Sequence, residues 1–265
     1  MNLELNQHRV LVVGAAGTIG KAVALAFLEE GCSVVMLDQR EVNLEMPIHL
    51  KDRCHALKGD VQDAADVDRS VAYCQERLGG LDHAVYAVGA GSGKYGFPFW
   101  NLSPSDWPRV MDVNLMGAVY LAHAFAPEAT VKPGRTLCLM ASVAGQIGSQ
   151  TDPPYSAAKA ALINFMQCVA KDFAPYGARA NAIAPGMIPS ALNQSVWASS
   201  QVGLSDKETI SYAQWGEEKL KRTSPMGQWQ RPEDCASMVT YLASHHARHI
   251  TGQVLNIDGG QVMHA

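Results

Sequence analysis

The chain has 265 residues, of which 48% are hydrophobic and 17% charged, and its formal net charge is −4. That length and composition fit one domain with a large buried core and exclude an intrinsically disordered chain. The mild acidity leaves no electrostatic footprint for nucleic acid or an anionic membrane, and no apolar run reaches bilayer-spanning length.

Six cysteines stand scattered at 32, 54, 74, 138, 168 and 235, with no Cys-x-x-Cys pair. This spacing argues against a disulfide framework and a zinc site, and for a reducing compartment. Met1 to Gln7 lacks the basic region and apolar core of a signal peptide, so a cytoplasmic location is expected.

The apolar run from Arg9 to Val13 reads as a buried parallel strand. It opens into Gly14-Ala15-Ala16-Gly17-Thr18-Ile19-Gly20 and then an Ala/Leu-rich helix over 21–30, which Gly31 can end. A strand, a glycine turn and a helix start make a pyrophosphate site, because backbone N–H groups point outward and absent β-carbons allow close approach. The next strand, over 33–37, ends in Asp38. A carboxylate at that distance suits the adenosine ribose hydroxyls and repels a 2′-phosphate, although Arg40 nearby could tolerate one.

Further along, Cys54 to Leu57 leads into Gly59-Asp60-Val61 and a helix near 63–77. A buried strand over 82–88 then opens into the glycine-rich loop 89–93, at the strand end where ligands sit in open α/β sheets. Ser103-Pro104 starts a helix that carries Asn114. If Asn114 is buried it must be paired, and a helix distortion there would expose a backbone carbonyl.

The strand over 136–140 delivers Ser142, and a helix from about Tyr155 to Phe173 follows. Tyr155 and Lys159 share one face of it, about 6 Å apart along the axis. A tyrosine titrates near ~10, and lowering that by about 3 units takes roughly 4 kcal/mol of preference for the phenolate, which a nearby ammonium can supply. The hydroxyl of Ser142 would then hold a substrate oxygen while Tyr155 takes or gives its proton. A strand over 179–184 ends in Pro185-Gly186, and periodicity lapses from Met187 to Ser205. A polar helix near 206–222, a turn at Pro225, a helix over 232–243 and a last strand over 253–257 complete the chain. Strands alternate with helices throughout, so the fold class is α/β: one doubly wound, mostly parallel sheet covered on both faces.

Taken together, these phrases resemble the short-chain dehydrogenase/reductase family in its compact single-domain branch. The resemblance runs from the residue 9 strand to Asp258-Gly259-Gly260. Asn114, Ser142, Tyr155 and Lys159 fall at the family's catalytic tetrad, and Asp60-Val61 matches the pair that borders the adenine. Pro185 to Ser190 matches the Pro-Gly segment over the nicotinamide, and Ile250-Thr251-Gly252-Gln253 matches the entry to the C-terminal strand. Two phrases depart from the pattern: Thr18 replaces the middle glycine of the turn, and Tyr86-Ala87-Val88-Gly89 replaces Asn-Asn-Ala-Gly, removing a side chain that braces the strand end.

The resemblance implies a Rossmann fold of about seven strands over residues 1–265, with a substrate segment near 187–225. It implies Tyr155 as general acid/base, Lys159 as the cation that lowers its pKa and holds the nicotinamide ribose, and Ser142 as positioner of the substrate oxygen. Asn114 would join Lys159 to a proton path through a bound water. A nicotinamide dinucleotide, NAD rather than NADP, would be held by Gly14, Gly17, Thr18, Ile19, Gly20, Asp38, Asp60, Val61, Ala87, Gly89, Tyr155, Lys159, Pro185, Gly186, Ile188 and Ser190. Ser142, Gln146, Tyr155 and Trp197 would contact a small alcohol or ketone. An apolar lid of Trp197, Trp215 and Met226 would suit a cyclic or aromatic alcohol or a dihydrodiol, although these residues equally suit packing of the flap or a subunit interface. A 3-oxoacyl-thioester reductase is the rival activity, against which Asp38 counts, and a non-catalytic nucleotide-binding scaffold is the rival of another class. Direct hydride transfer needs no metal, and His245 to His249 reads as a solvated turn. A homo-oligomer, tetramer or dimer, is expected through helices 103–126 and 155–173.

Overall fold

The computed structural model describes residues 1–264. Seven strands, β1 (Arg9–Val13), β2 (Ser33–Asp38), β3 (Cys54–Lys58), β4 (His83–Tyr86), β5 (Thr136–Met140), β6 (Arg179–Pro185) and β7 (Val254–Ile257), form one sheet. Their order is β3-β2-β1-β4-β5-β6-β7 and every pairing is parallel. Strand order reverses between β1 and β4, which opens a crevice at their carboxyl ends.

Strands β1, β4, β5 and β6 are buried on both sides, and mostly apolar, because both faces of the sheet are covered. On one face α2 (Ala64–Leu78), α4 (Gly117–Val131) and α5 (Pro153–Phe173) pack over Leu11, Ala84, Leu137 and Ala180. On the other, α1 (Thr18–Glu29) and α8 (Pro232–Ala243) pack over Val10, Val12, Val85 and Ile183. Among the described residues no helix is long and apolar enough to cross a membrane.

The segment expected as one helix from residue 103 is broken into α3 (Pro108–Met111), a π-helical turn (Asp112–Met116) and α4. The distortion anticipated at Asn114 is this π turn. Tyr86 supplies the brace that the departure from Asn-Asn-Ala-Gly removed. Its hydroxyl donates to the Val113 carbonyl at 2.5 Å, and Gly117 leaves room for the ring, since a Cβ there would strike the Tyr86 hydroxyl.

The stretch after β6 departs from expectation. It contains a helix, α6 (Ala191–Ser200), where the sequence reads as irregular, and the Ser190 hydroxyl accepts from the Asn193 amide to cap it. None of its residues is fully buried, so it carries no apolar period to betray it. The polar helix, α7 (Tyr212–Thr223), starts six residues later than expected, where Ser211 and Gln214 close a capping box.

At the opposite end of the sheet His83 is buried between a histidine and a threonine, its ring nitrogens 2.8 Å from His8 Nδ1 and 2.8 Å from Thr136 Oγ1. Burial there holds the His83 imidazole far below its ordinary range, so it is neutral.

Candidate active site

The crevice between β1 and β4 holds two adjoining cavities of about 310 and 360 Å³. They share Gly17, Arg40, Ala87, Val88 and Gly89 as a common wall. Close backbone approach shapes this cleft. Gly14 takes φ +87°, and a Cβ on it would lie 2.9 Å from the Ala87 carbonyl. Gly20 does not reach the cleft: it packs so tightly on Gly14 that a Cβ would strike the Gly14 carbonyl oxygen, a close-packing role. Gly17 precedes α1 without any side-chain cap, so the first-turn amides around Thr18 and Ile19 are left for an anion.

Asp38 and Arg40 mark one end. Asp38 Oδ2 accepts from the Ala16 amide at 2.9 Å, and Oδ1 accepts from the Arg40 amide at 2.9 Å and its Nε at 3.2 Å. The carboxylate is buried whereas the Arg40 side chain is 59% exposed, so the fixed charge at this end is the acid. Asp60 and Val61 line the same cavity.

At the other end Ser142, Tyr155 and Lys159 meet Pro185, Gly186, Ile188 and Ser190. Ser142 Oγ accepts from the Ala144 amide at 3.2 Å and lines the same cavity as the Tyr155 phenol. Lys159 is 1% exposed; its Nζ donates to the carbonyls of Val88 (2.9 Å) and Met140 (2.7 Å) and lies 5.6 Å from the Tyr155 ring centre. An ammonium has three donors, so one remains for the cleft. Gly89 shows how closely these groups converge: a Cβ there would stand 3.8 Å from the Tyr155 hydroxyl, 3.9 Å from Asn114 Oδ1 and 3.9 Å from Lys159 Nζ. The Asn114 side chain is fully engaged, donating to the carbonyls of Ala90 (2.7 Å) and Val110 (2.8 Å) and accepting from the Ala90 amide (3.2 Å).

Electrostatics here run against the expectation of a lowered tyrosine pKa. In the protein alone, burial pushes Tyr155 up to about 12 and brings Lys159 down to about 7. Among the described residues no carboxylate pairs with Lys159, so desolvation decides its proton affinity and weakens the help it can give the phenol.

Two expected substrate residues lie elsewhere. Gln146 turns to β7, where its Nε2 donates to Asn256 Oδ1 at 2.8 Å; it borders an apolar hollow with Phe97, Phe99 and Trp100 rather than the cleft. Trp197 faces α7: its indole donates to the Ile210 carbonyl at 2.9 Å and its ring meets Tyr212 edge-on. Tyr212 stacks on Trp215 and leans on Trp229, so these aromatics join α6 to α7, and Met226 is exposed. The cleft instead meets Leu192 and Asn193 at the start of α6, residues hidden from sequence reading because the helix itself was. The cavity that holds Asp38 and Asp60 is also lined by Arg109, for which no sequence signal exists.

A twisted parallel sheet with a glycine-cradled crevice at its switch point defines a Rossmann-type α/β protein. The family model described as enoyl-(acyl carrier protein) reductase matches residues 14–262. The chain belongs to the short-chain dehydrogenase/reductase family, and is an oxidoreductase of that family. It is 30% identical over 261 residues to galactitol 2-dehydrogenase of Rhizobium johnstonii, covering 97% of this chain and 95% of that protein. It is 31% identical over 251 residues to the NAD-dependent glycerol dehydrogenase of Listeria innocua, covering 94% and 92%. Among solved structures it is similar to the ligand-free aldohexose dehydrogenase of Thermoplasma acidophilum, with TM-score 0.83, 29% identity and coverage of 99% and 96%.

Proposed function

We propose that the protein interconverts a secondary alcohol, a polyol or sugar in the first instance, and its ketone or lactone with NAD as cofactor. The observation that carries this reading is the convergence of Tyr155, Lys159 and Asn114 around Gly89, with Ser142 lining the same cavity, at one end of the cleft. The donor set fits such a cofactor: open helix amides and a turn with glycines at 14 and 17 for phosphates, Asp38 for ribose hydroxyls, and the spare Lys159 donor near the reactive end. When bound, the dinucleotide supplies a nicotinamide carbon that accepts or returns a hydride.

In oxidation Tyr155 takes the carbinol proton, and in reduction it returns one to the carbonyl oxygen. Ser142 Oγ holds the same oxygen, and Lys159, fixed by two carbonyls, stabilises the phenolate as it forms. Asn114 acts through its fold rather than its amide. Its side chain is spent on Ala90 and Val110, while the π turn around it breaks the regular hydrogen-bond ladder and frees a carbonyl for a water on the proton path. The polyol preference rests on the named substrates of the relatives and on the Trp197 cluster facing away from the cleft. Buried Asp38 supports NAD over NADP. The enzyme is further proposed to be a single catalytic domain, to work in the cytoplasm, and to assemble as a homo-oligomer through α4 and α5; light scattering tests the last point.

A second reading, a 3-oxoacyl-thioester reductase, is favoured by a relative of that activity, the 3-oxoacyl-[acyl-carrier-protein] reductase of Thermotoga maritima, at the lower identity of 28%. One experiment separates the readings. Galactitol, glycerol and aldohexoses are oxidised with NAD⁺ or NADP⁺, beside an acetoacetyl thioester with NADH or NADPH. The proposal expects a polyol or sugar to turn over, at least tenfold better with NAD⁺, and Asp38→Ala to erase that preference. Turnover of the thioester alone, or of nothing despite dinucleotide binding, would refute it.

A further inference from the structure

Asp152 has no part in the site described so far. It immediately precedes α5, three residues before Tyr155, and is 7% exposed. Its Oδ2 accepts from the Ser92 amide at 2.7 Å, and Gly91 passes so close that a Cβ there would stand 2.5 Å from the same oxygen. Its Oδ1 is buried with no hydrogen-bond partner. A residue in this place ordinarily caps its helix. Here no side-chain cap bond forms, although the Tyr155 amide faces the carboxylate and steadies its charge. A backbone bond from the Gly96 amide to the Thr151 carbonyl, 2.8 Å, joins the same two segments. A carboxylate buried with one oxygen unpartnered is a costly way to begin a helix, where a serine or asparagine would do.

We propose that Asp152 is a positioning residue for the reaction: it fastens the exit loop of β4 to the start of the catalytic helix, and it sets a negative charge about one helical turn before Tyr155, in opposition to Lys159 one turn after it. This rests on the reading of Tyr155 as acid–base group. The groups around the phenol and this carboxylate come from every neighbouring element. Lys159 lies on α5 itself, Ser142 at the exit of β5, and Ser92 on the exit loop of β4. Arg109, on α3, donates to the Gly91 carbonyl at 3.4 Å, and α6 contributes the apolar Leu192. Asp152 is the one acid among them. An anion there favours the protonated phenol and an ammonium favours the phenolate, so the pair keeps Tyr155 able to return a proton as well as take one. Burial keeps the Asp152 carboxyl itself above its ordinary range, and its charge adds to the upward push on Tyr155.

The test compares wild type, D152N, D152A and Y155F in galactitol oxidation with NAD⁺, or with the best alcohol of the panel above. D152N keeps an acceptor for the Ser92 amide and removes the charge. Its kcat/KM should reach its plateau about one pH unit lower than in wild type, with KM for the alcohol within about twofold. D152A should show the same shift, an alcohol KM raised about tenfold, and faster hydrogen exchange across residues 89–96. Should D152N fail to fold, D152S carries the same comparison with a hydroxyl acceptor. A D152N or D152S profile superimposable on wild type overturns the proposal, as does D152A with unchanged KM and exchange. An inactive Y155F beside an unmoved D152N profile sinks this inference alone. An active Y155F, or an absence of any alcohol turnover, sinks the reading beneath it and this inference together.

Discussion

Replacing Lys159 by methionine should flatten the rise in stability that the cofactor-free protein shows between pH 7 and pH 9. Lys159 is 1% exposed, has no acidic partner and titrates near 7 in the folded protein against 10.5 ordinarily. Between those values the unfolded chain binds a proton that the native protein does not, so stability rises with pH there and is lost as pH falls toward 7. Integrated from pH 7, where the folded lysine is half-protonated, to pH 9, the difference is about 2 kcal/mol. Methionine fills similar volume without charge. It strands the carbonyls of Val88 and Met140, at about 1–3 kcal/mol each, but that cost does not vary with pH. Urea unfolding of both proteins at pH 7 and pH 9 isolates the effect, since the other titrating groups cancel in the double difference. Wild type should gain about 2 kcal/mol more than Lys159→Met. Parallel stability curves would show that Lys159 keeps its charge in the empty cleft, and that its two carbonyls suffice to hold it.

The buried His83 makes the opposite end of the sheet acid-sensitive. Its folded pKa lies well below 6.5, so its contribution is present above 6.5 and is lost as pH falls; on going from pH 7 to pH 5 wild type should lose about 2 kcal/mol more than His83→Gln, read from urea midpoints. At Gly89 an added methyl would make only ordinary contacts, 3.8–3.9 Å, with Tyr155, Asn114 and Lys159. Gly89→Ala should therefore keep its Tm within about 2 °C while weakening dinucleotide binding more than about tenfold in a fluorescence titration. Gly14→Ala combines φ +87° with a clash on the Ala87 carbonyl, and should lose both stability and affinity in the same two assays.

Much of this architecture is legible because both sides of the central strands are buried. Val10 to Val13, Ala84 to Tyr86 and Leu137 to Met140 are unbroken apolar runs bounded by turns, and such runs have few other uses. Tyr155 and Lys159 are legible through spacing, since one helical turn sets both on a common face. What stayed hidden depends on distant chain segments. Helix α6 packs through part-buried residues such as Leu192 and Trp197, so its sequence shows no apolar stripe. The side to which Gln146 and Trp197 turn is decided by Asn256 and Ile210, remote partners that no local pattern names. The direction of the Lys159 shift follows from the carbonyls and apolar strands that enclose it. Composition around position 159 cannot reveal that it lacks a carboxylate. Asp152 reads locally as a loop residue before two prolines; only the fold brings Ser92 onto its carboxylate.

The central claim is that the Tyr155 phenol carries the proton in an alcohol–ketone interconversion, and Tyr155→Phe tests it most directly. Single-turnover and steady-state oxidation of the best alcohol should fall by about a thousandfold or more, while NAD⁺ affinity measured by calorimetry changes less than about threefold. A phenylalanine variant that keeps turnover within tenfold of wild type would contradict the account.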